Sequence, residues 1–166
     1  MYLIVSGTNR AESNTIKVAQ HYQKILSYQG IRSEILSLQG LNLMERNPFF
    51  EDIEKRLLVP ASKFIFIAPE YNGSIPGVLK CLFDISDSRK VWPGKKALLT
   101  GVATGRAGNV RGLDHLTGIL NYLGVIVHPN KLPISVVDRL INASEVIDDL
   151  ATLKAIEAQL GEFVLF

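Results

Sequence analysis

Residues 2–15 read YLIVSGTNRAESNT and decide the start of the fold. The apolar run Tyr2–Val5 predicts a buried strand. The helix predicted next carries an apolar face, made of Val18, Tyr22, Ile25 and Leu26. A polar loop with one glycine, hydroxyls, an amide and one arginine joins the two. This strand, loop and helix form the opening unit of an α/β protein, with the loop at the carboxyl end of the strand.

The polar loop has the chemistry of an anion site. The N-terminus of a helix presents free N–H groups and a positive dipole end. Thr8, Ser13 and Thr15 add hydroxyl groups, and Arg10 adds a cation. Neither GxGxxG nor GxxxxGK[ST] is present, which favours the terminal phosphate of a mononucleotide over a dinucleotide or a nucleoside triphosphate. The alternative is that Ser13 only caps the helix while Thr8 and Arg10 face water.

Strand and helix signals alternate along the rest of the chain, which predicts a three-layer α/β sandwich around a parallel sheet. The whole chain, residues 1–166, is expected to form one domain. Ser74 is the predicted cap of the helix after the third strand, and Ser144 that of the last helix. Residues 39–50 are predicted to be a loop. The five predicted strands lie at residues 2–5, 31–38, 64–68, 97–102 and 125–127.

Composition limits the classes of function. Net charge is +2 and the basic residues are scattered, so nucleic acid is not an expected partner. A single cysteine, Cys81, excludes an internal disulfide framework, and three isolated histidines suggest no metal site. No apolar run approaches the length of a membrane span. We therefore expect a soluble cytoplasmic protein that makes no contact with a membrane.

In a parallel sheet, ligands bind at the carboxyl ends of the strands, near the point where strand order reverses. The loop after strand three, residues 69–77, reads PEYNGSIPG, and its aromatic ring, amide and carboxylate suit a planar heteroaromatic ligand. A rigid turn is the alternative. The loop after strand four, residues 100–112, has four glycines in thirteen residues. It allows close approach of backbone to a flat ligand, or it is a flexible connection.

These loops resemble those of the NAD(P)H-dependent FMN reductases, a family that includes quinone, azo-dye and chromate reductases. Residues 7–15 resemble the family's GSxRxxSxN phosphate loop, and residues 69–77 match its PEYNGSIPG loop almost letter for letter. Residues 104–109 lie where the family has a third flavin-contacting segment. The resemblance implies a flavodoxin-like fold, with a five-stranded parallel sheet of order 2-1-3-4-5.

The resemblance also implies a set of FMN contacts. The phosphate positions match Thr8, Arg10, Ser13 and Thr15, with Asn14 beside them. The positions that line the isoalloxazine and ribityl chain match Pro69, Glu70, Tyr71, Asn72 and Gly73, and those near the pyrimidine edge match Thr104, Gly105 and Gly108. The chain departs from the family pattern in three places. Thr8 replaces a serine, Thr15 stands where asparagine is common, and residues 106–108 replace a Gly-Gly pair.

The function implied is a two-electron, ping-pong hydride transfer from NAD(P)H through FMN to a small acceptor. That acceptor is a quinone, an azo compound, a metal oxyanion or a free flavin. Such chemistry belongs to the cofactors, so no catalytic acid or base is expected in the protein. The resemblance also implies a homodimer or homotetramer. The alternative function is a flavodoxin-type FMN electron carrier with a protein partner, although such carriers tend to be strongly acidic and this chain is not.

Overall fold

A computed structural model describes all residues, 1–166, and contains one parallel sheet. Its strands are β1 (Tyr2–Ser6), β2 (Ser33–Ser37), β3 (Lys63–Pro69), β4 (Lys96–Val102), β5 (Ile126–Val127) and β6 (Leu132–Ile134). The order is β2-β1-β3-β4-β5, and every pair is parallel. This is the flavodoxin-like order, and the predicted fold and strand order are confirmed. The strand order reverses at β1 and β3.

The prediction of only five strands was wrong at the edge of the sheet. β4 pairs with β5 near its start and with β6 near its end, so two short strands share one edge. Residues 128–131 separate them. His128 turns its ring inward, with only 5% of its surface exposed, and packs edge-on against Phe163 and Phe166. The His128 amide still donates to Ala97 O of β4 at 2.8 Å, so the pairing is interrupted only between His128 and Leu132.

Helices cover both faces of the sheet, as predicted. They are α1 (Asn14–Tyr28), α2 (Pro48–Ile53), α3 (Gly77–Ile85), α4 (Ser88–Val91), α5 (Val110–Tyr122) and α6 (Leu150–Leu165). Side chains of β3 alternate between the faces. Phe64 and Phe66 pack with α3 and α5, whereas Ile65 and Ile67 pack with α1 and α6. None of these helices has both the length and the apolar character needed to cross a membrane.

Both predicted serine caps were wrong. Helix α3 begins at Gly77 after Pro76 and has no side-chain cap, while the Ser74 hydroxyl lies 2.8 Å from Nδ1 of His115. Helix α6 begins at Leu150, where Asp149 accepts a hydrogen bond from the Thr152 amide. A distant partner engages Ser74, whereas at α6 a later local cap, Asp149, takes the place predicted for Ser144.

The loop predicted at 39–50 ends earlier than expected. Asn47 caps α2 by accepting a hydrogen bond from the Phe50 amide at 2.9 Å, and a π-helical turn, Glu54–Leu58, follows α2. The Arg46 guanidinium binds both oxygens of Glu54 at 2.6 and 3.0 Å. These hydrogen bonds lower the pKa of the Glu54 carboxyl. This ion pair links the end of the loop, at Arg46, to the π-helical turn that follows α2.

A buried polar network ties α1, β4 and α6 together. The Tyr22 hydroxyl donates to Oε1 of Gln159 at 2.6 Å and lies 2.8 Å from the Thr100 hydroxyl. Gln159 in turn donates to the backbone oxygens of Leu99 and Asn130. Tyr22, Thr100 and Gln159 are fully buried, and burial raises the pKa of Tyr22 well above its ordinary value. The network stabilises the packing of α1 and α6 against β4.

Candidate functional site

A cleft of about 310 Å³ opens at the carboxyl ends of β1, β3 and β4. Its volume lies at the lower end of the range for small-molecule sites. The three loops that follow these strands line it, together with one residue after β6. The lining residues are Arg10, Ala11, Glu12, Ser13, Asn14, Thr15, Pro69, Glu70, Tyr71, Val102, Ala103, Thr104 and Val137.

The first loop brings the N-terminus of α1 to the cleft. The Gly7 amide donates to Ile67 O at 2.9 Å, and a Cβ at Gly7 would lie only 3.0 Å from that oxygen, so the loop leaves β1 where only glycine fits easily. Ser13 caps α1, with its hydroxyl accepting from the Ile16 amide at 3.2 Å. The amides of Asn14 and Thr15 donate to no backbone or side-chain acceptor. The cleft therefore meets free N–H donors at a positive helix end.

Thr8 and Tyr71 join the first loop to the second. The two hydroxyl oxygens are 2.6 Å apart, and the Arg10 guanidinium lies 4.4 Å from the centre of the Tyr71 ring. Thr8 is 1% exposed and does not line the cleft. Tyr71 is half-buried between them. The Thr8 hydroxyl thus contacts the Tyr71 hydroxyl, while the Arg10 guanidinium lies over the face of the ring.

The second loop is a tight hairpin turn. Tyr71 and Ser74 exchange backbone hydrogen bonds of 2.9 and 3.1 Å, and the two residues between them, Asn72 and Gly73, have φ of 52° and 76°. Positive φ at both central positions is the type I′ turn, for which Asn-Gly is the preferred pair. Asn72 and Gly73 lie outside the cleft lining, and their amides donate to no backbone acceptor. The sequence alternative of a rigid turn describes the backbone correctly.

Two glycines, Gly101 and Gly108, pack closely together where the third loop leaves β4 and returns to it. A Cβ at Gly101 would lie 2.1 Å from Gly108 O, so the returning chain presses directly on the strand. Gly108 has φ of 56° and sits buried against Pro133, away from the cleft lining. Residues 104–107 are exposed, and the amides of Thr104 and Gly105 donate to no protein acceptor. These two amides are available to a ligand at the rim.

The structure brings most of the sequence-predicted residues together. Eight of them line the cleft: Arg10, Ser13, Asn14, Thr15, Pro69, Glu70, Tyr71 and Thr104. Five lie behind or beyond the lining: Thr8, Asn72, Gly73, Gly105 and Gly108. Val102 and Ala103 lie in the predicted third loop but were not named as contacts, and sequence reasoning missed Val137 because it lies far along the chain from the three loops. The contacts of all these residues with a ligand stay a prediction.

Val136, next to the cleft wall, is held in a strained conformation. Its φ and ψ are 46° and 39°, a left-handed conformation that β-branched residues rarely adopt. The Val136 amide donates to Gly105 O at 3.1 Å, and the Val137 amide donates to Ala103 O at 3.1 Å. These two hydrogen bonds fix the chain after β6 against the third loop and hold the strained residue in place.

Replacing Val136 by Asn is expected to raise the free energy of unfolding by about 1 kcal/mol. Asn tolerates the left-handed region, so the substitution releases strain that costs roughly 1–3 kcal/mol, offset by lost apolar burial. Urea denaturation measures the change. The control is Val146→Asn, an exposed valine outside the left-handed region, which is expected to give no gain. Equal or lower stability for Val136→Asn would show that the strain is not released.

Comparison with known proteins identifies the family of this chain. A model of the NADPH-dependent FMN reductases matches residues 2–137. A 2-hydroxy-1,4-benzoquinone reductase of Burkholderia sp is 27% identical over 132 residues, covering 75% of this chain and 72% of that protein. An NAD(P)H-dependent FMN reductase of Pseudomonas aeruginosa is 30% identical over 138 residues, covering 78% of this chain and 72% of that protein.

A solved structure agrees on the fold. The NAD(P)H:(acceptor) oxidoreductase FerB of Paracoccus denitrificans superposes with a TM-score of 0.74 at 21% identity, covering 98% of this chain and 93% of that one. The family model spans all three loops of the cleft and all strands of the sheet. The chain therefore belongs to the NADPH-dependent FMN reductase family.

Proposed function

We propose that the cleft binds FMN and that the protein passes electrons from NAD(P)H to a small quinone-like acceptor. One observation carries this proposal: the free amides at the N-terminus of α1 and the ring of Tyr71 face the same cleft. An anion site beside an aromatic wall suits a ligand that has a phosphate at one end and a flat ring at the other. The quinone reductase of Burkholderia among the relatives supports the acceptor class.

The donor set at the first loop fits a phosphate monoester. The Ser13 and Thr15 side chains offer hydroxyls, the amides of Asn14 and Thr15 are free, and Arg10 supplies a positive charge. Charge-assisted hydrogen bonds of this kind are stronger than neutral ones. In this proposal the first loop holds the phosphate, and Arg10 reaches it from its place beside Tyr71.

The ring of FMN is proposed to lie between the second and third loops. Bound FMN supplies the redox chemistry, since its ring accepts a hydride from NAD(P)H and passes electrons on. Pro69, Glu70 and Tyr71 offer one wall, and the free amides of Thr104 and Gly105 face the rim. Amide donors fixed in advance stabilise negative charge without reorganisation. These amides are our candidates for holding the added charge on the reduced ring.

We further propose a ping-pong order of substrates. The cleft lies at the carboxyl ends of the strands, and in this proposal it receives NAD(P)H and then the acceptor in turn. The protein has to align two rings face to face and keep that alignment while the substrates exchange. No side chain of the cleft needs to transfer a proton in this order of reaction. The electron-carrier alternative fits less well with a net charge of +2.

A flavin spectrum tests the proposed function. Purified protein is incubated with FMN, desalted, and treated with NADPH without oxygen, and a benzoquinone is then added. Retained absorbance that bleaches within seconds and returns with the quinone is the expected result. Retained flavin that NADPH does not bleach would support the electron carrier. Protein that retains no flavin would contradict an FMN site of useful affinity.

We also infer a homodimer or homotetramer. A groove of about 340 Å³ between α3 and α5 is lined by Phe83, Ile119, Tyr122 and Leu123 together with polar residues. Tyr122 is 91% exposed, and a ring of that size on a partly apolar groove supports a protein contact there. Sedimentation of the wild-type protein and of Tyr122→Ser distinguishes the states. A monomeric wild type at micromolar concentration would contradict the inference.

A further inference from the structure

Asn109 is fully buried at the end of the third loop, and the family resemblance gave it no contact of its own. It precedes α5 with φ of 66° and ψ of 32°, which places its side chain under the end of β3. Its Nδ2 donates to Ala68 O at 2.9 Å and to Pro69 O at 3.0 Å. One side-chain amide therefore holds two successive carbonyls at the point where the second loop begins.

The backbone around Asn109 leaves its side chain no room to move. A Cβ at Gly112 would lie 2.1 Å from Oδ1 of Asn109 and 2.7 Å from its Cγ and Nδ2. On the other side, Gly101 is in close contact with Gly108 and Asn109. The Oδ1 atom is buried and has no hydrogen-bond partner. Because a buried, unpartnered oxygen is costly, the benefit of the arrangement must lie in the two bonds that Nδ2 makes.

Those bonds continue the sheet where its own ladder ends. The last backbone contact between β3 and β4 is the Glu70 amide donating to Val102 O at 3.1 Å. Beyond it the chain turns into the hairpin that carries Tyr71. Asn109 donates hydrogen bonds to the two carbonyls just before this bend, so it fixes the direction in which Glu70 and Tyr71 leave the sheet.

We propose that Asn109 is a positioning residue of the flavin site, which sets the second loop at the distance and angle that the ring of FMN needs. This inference rests on the proposed function. Asn suits the position for two reasons, because it tolerates the left-handed backbone and its amide donates two hydrogen bonds. Its role is indirect, since it touches the loop and not the cleft.

Two substitutions at the position test the role. Asn109→Gly keeps the backbone conformation and removes both donors. Asn109→Asp keeps the shape, and at pH 8 it places carboxylate oxygens against two carbonyls. A third, independent variant is Gly112→Ala, whose Cβ collides with the Asn109 amide. The control is Tyr22→Phe, which removes hydrogen bonds of the buried network away from the second loop.

Two readouts distinguish positioning from stability alone. The first is the FMN dissociation constant, measured by quenching of flavin fluorescence, which is expected to rise at least about tenfold in all three test variants. The second is hydrogen exchange of the flavin-free protein. The amides of Glu70, Tyr71 and Ser74 are expected to exchange about tenfold faster, while those of Val125 and His128, both bonded elsewhere, stay unchanged.

The outcomes separate the two proposals. Tyr22→Phe is expected to lower the unfolding free energy yet keep wild-type FMN affinity and wild-type exchange at Glu70 and Tyr71. If Asn109→Gly or Asn109→Asp kept wild-type affinity and exchange, the positioning role would be overturned. If the wild type bound no FMN, the proposed function would fall. The positioning role of Asn109 in the flavin site would then also be overturned. This would hold even if hydrogen exchange showed that Asn109 orders the second loop.

Discussion

Replacing Ser13 by Asp is expected to weaken FMN binding by roughly a hundredfold or more and to leave the stability of the protein unchanged or slightly higher. Asp is as good an N-cap as Ser, and its charge favours the positive end of α1. The same carboxylate lies in the cleft lining, where the proposal places the phosphate of FMN. Two like charges about 4 Å apart near a protein surface repel by about 4 kcal/mol, enough for this loss of affinity. Equilibrium dialysis against FMN and urea denaturation measure the two effects.

A series at this one position provides the control. Ser13→Gly removes the hydroxyl at a capping cost of a few tenths of a kcal/mol, and we expect about a tenfold loss of affinity. Ser27→Asp adds the same charge to the other end of α1, on an exposed side chain about 20 Å away, and should leave FMN affinity unchanged. Equal affinity for Ser13→Asp and wild type would place the phosphate somewhere else.

Gly101→Ala is the second change with a large expected effect. The added Cβ would lie 2.1 Å from Gly108 O and 3.1 Å from Cβ of Asn109. The nearer atom belongs to the backbone, so the third loop must shift away from β4. Overpacking of this kind costs about 3 kcal/mol, and the shift withdraws Asn109 from the carbonyls that it holds. We expect reduced unfolding free energy together with loss of FMN retention.

The matched control is the same substitution where space is open. Gly161 lies half-buried inside α6, and a Cβ there would meet nothing within 4 Å. Gly161→Ala is therefore expected to stabilise the protein by up to about 1 kcal/mol, since alanine is the better helix former. Urea denaturation of the two variants should give changes of opposite sign. A neutral Gly101→Ala would mean that the third loop has another place to lie.

Local patterns predicted the parts of the protein that local interactions form. The apolar run before Gly7 and the helix after Ser13 are each specified within a few residues, and both appear as predicted. The turn at Asn72 and Gly73 is likewise set by two residues with positive φ. The strand order followed from the resemblance of these loops to a family. It did not follow from any single segment.

Contacts between distant residues account for what the sequence could not predict. Ser74 has the chemistry of a helix cap, yet its hydroxyl lies beside His115, 41 residues away. Asn109 belongs to no recognisable sequence motif, because its role depends on hydrogen bonds to the distant carbonyls of Ala68 and Pro69. Ile141 and Ile147 form an isolated antiparallel β-bridge around Ser144, so α6 begins only at Leu150. Such partners are visible only when the chain is folded.

The divided edge of the sheet bears on how the protein behaves at high concentration. A long, flat outer strand offers a row of unpaired amides and carbonyls to which a second molecule can add, and sheets extended in this way aggregate. Here that border consists of two residues in β5 and three in β6, with His128 turned inward between them. Neither piece is long enough to template another strand. The interruption therefore protects this edge of the sheet against pairing with a second molecule.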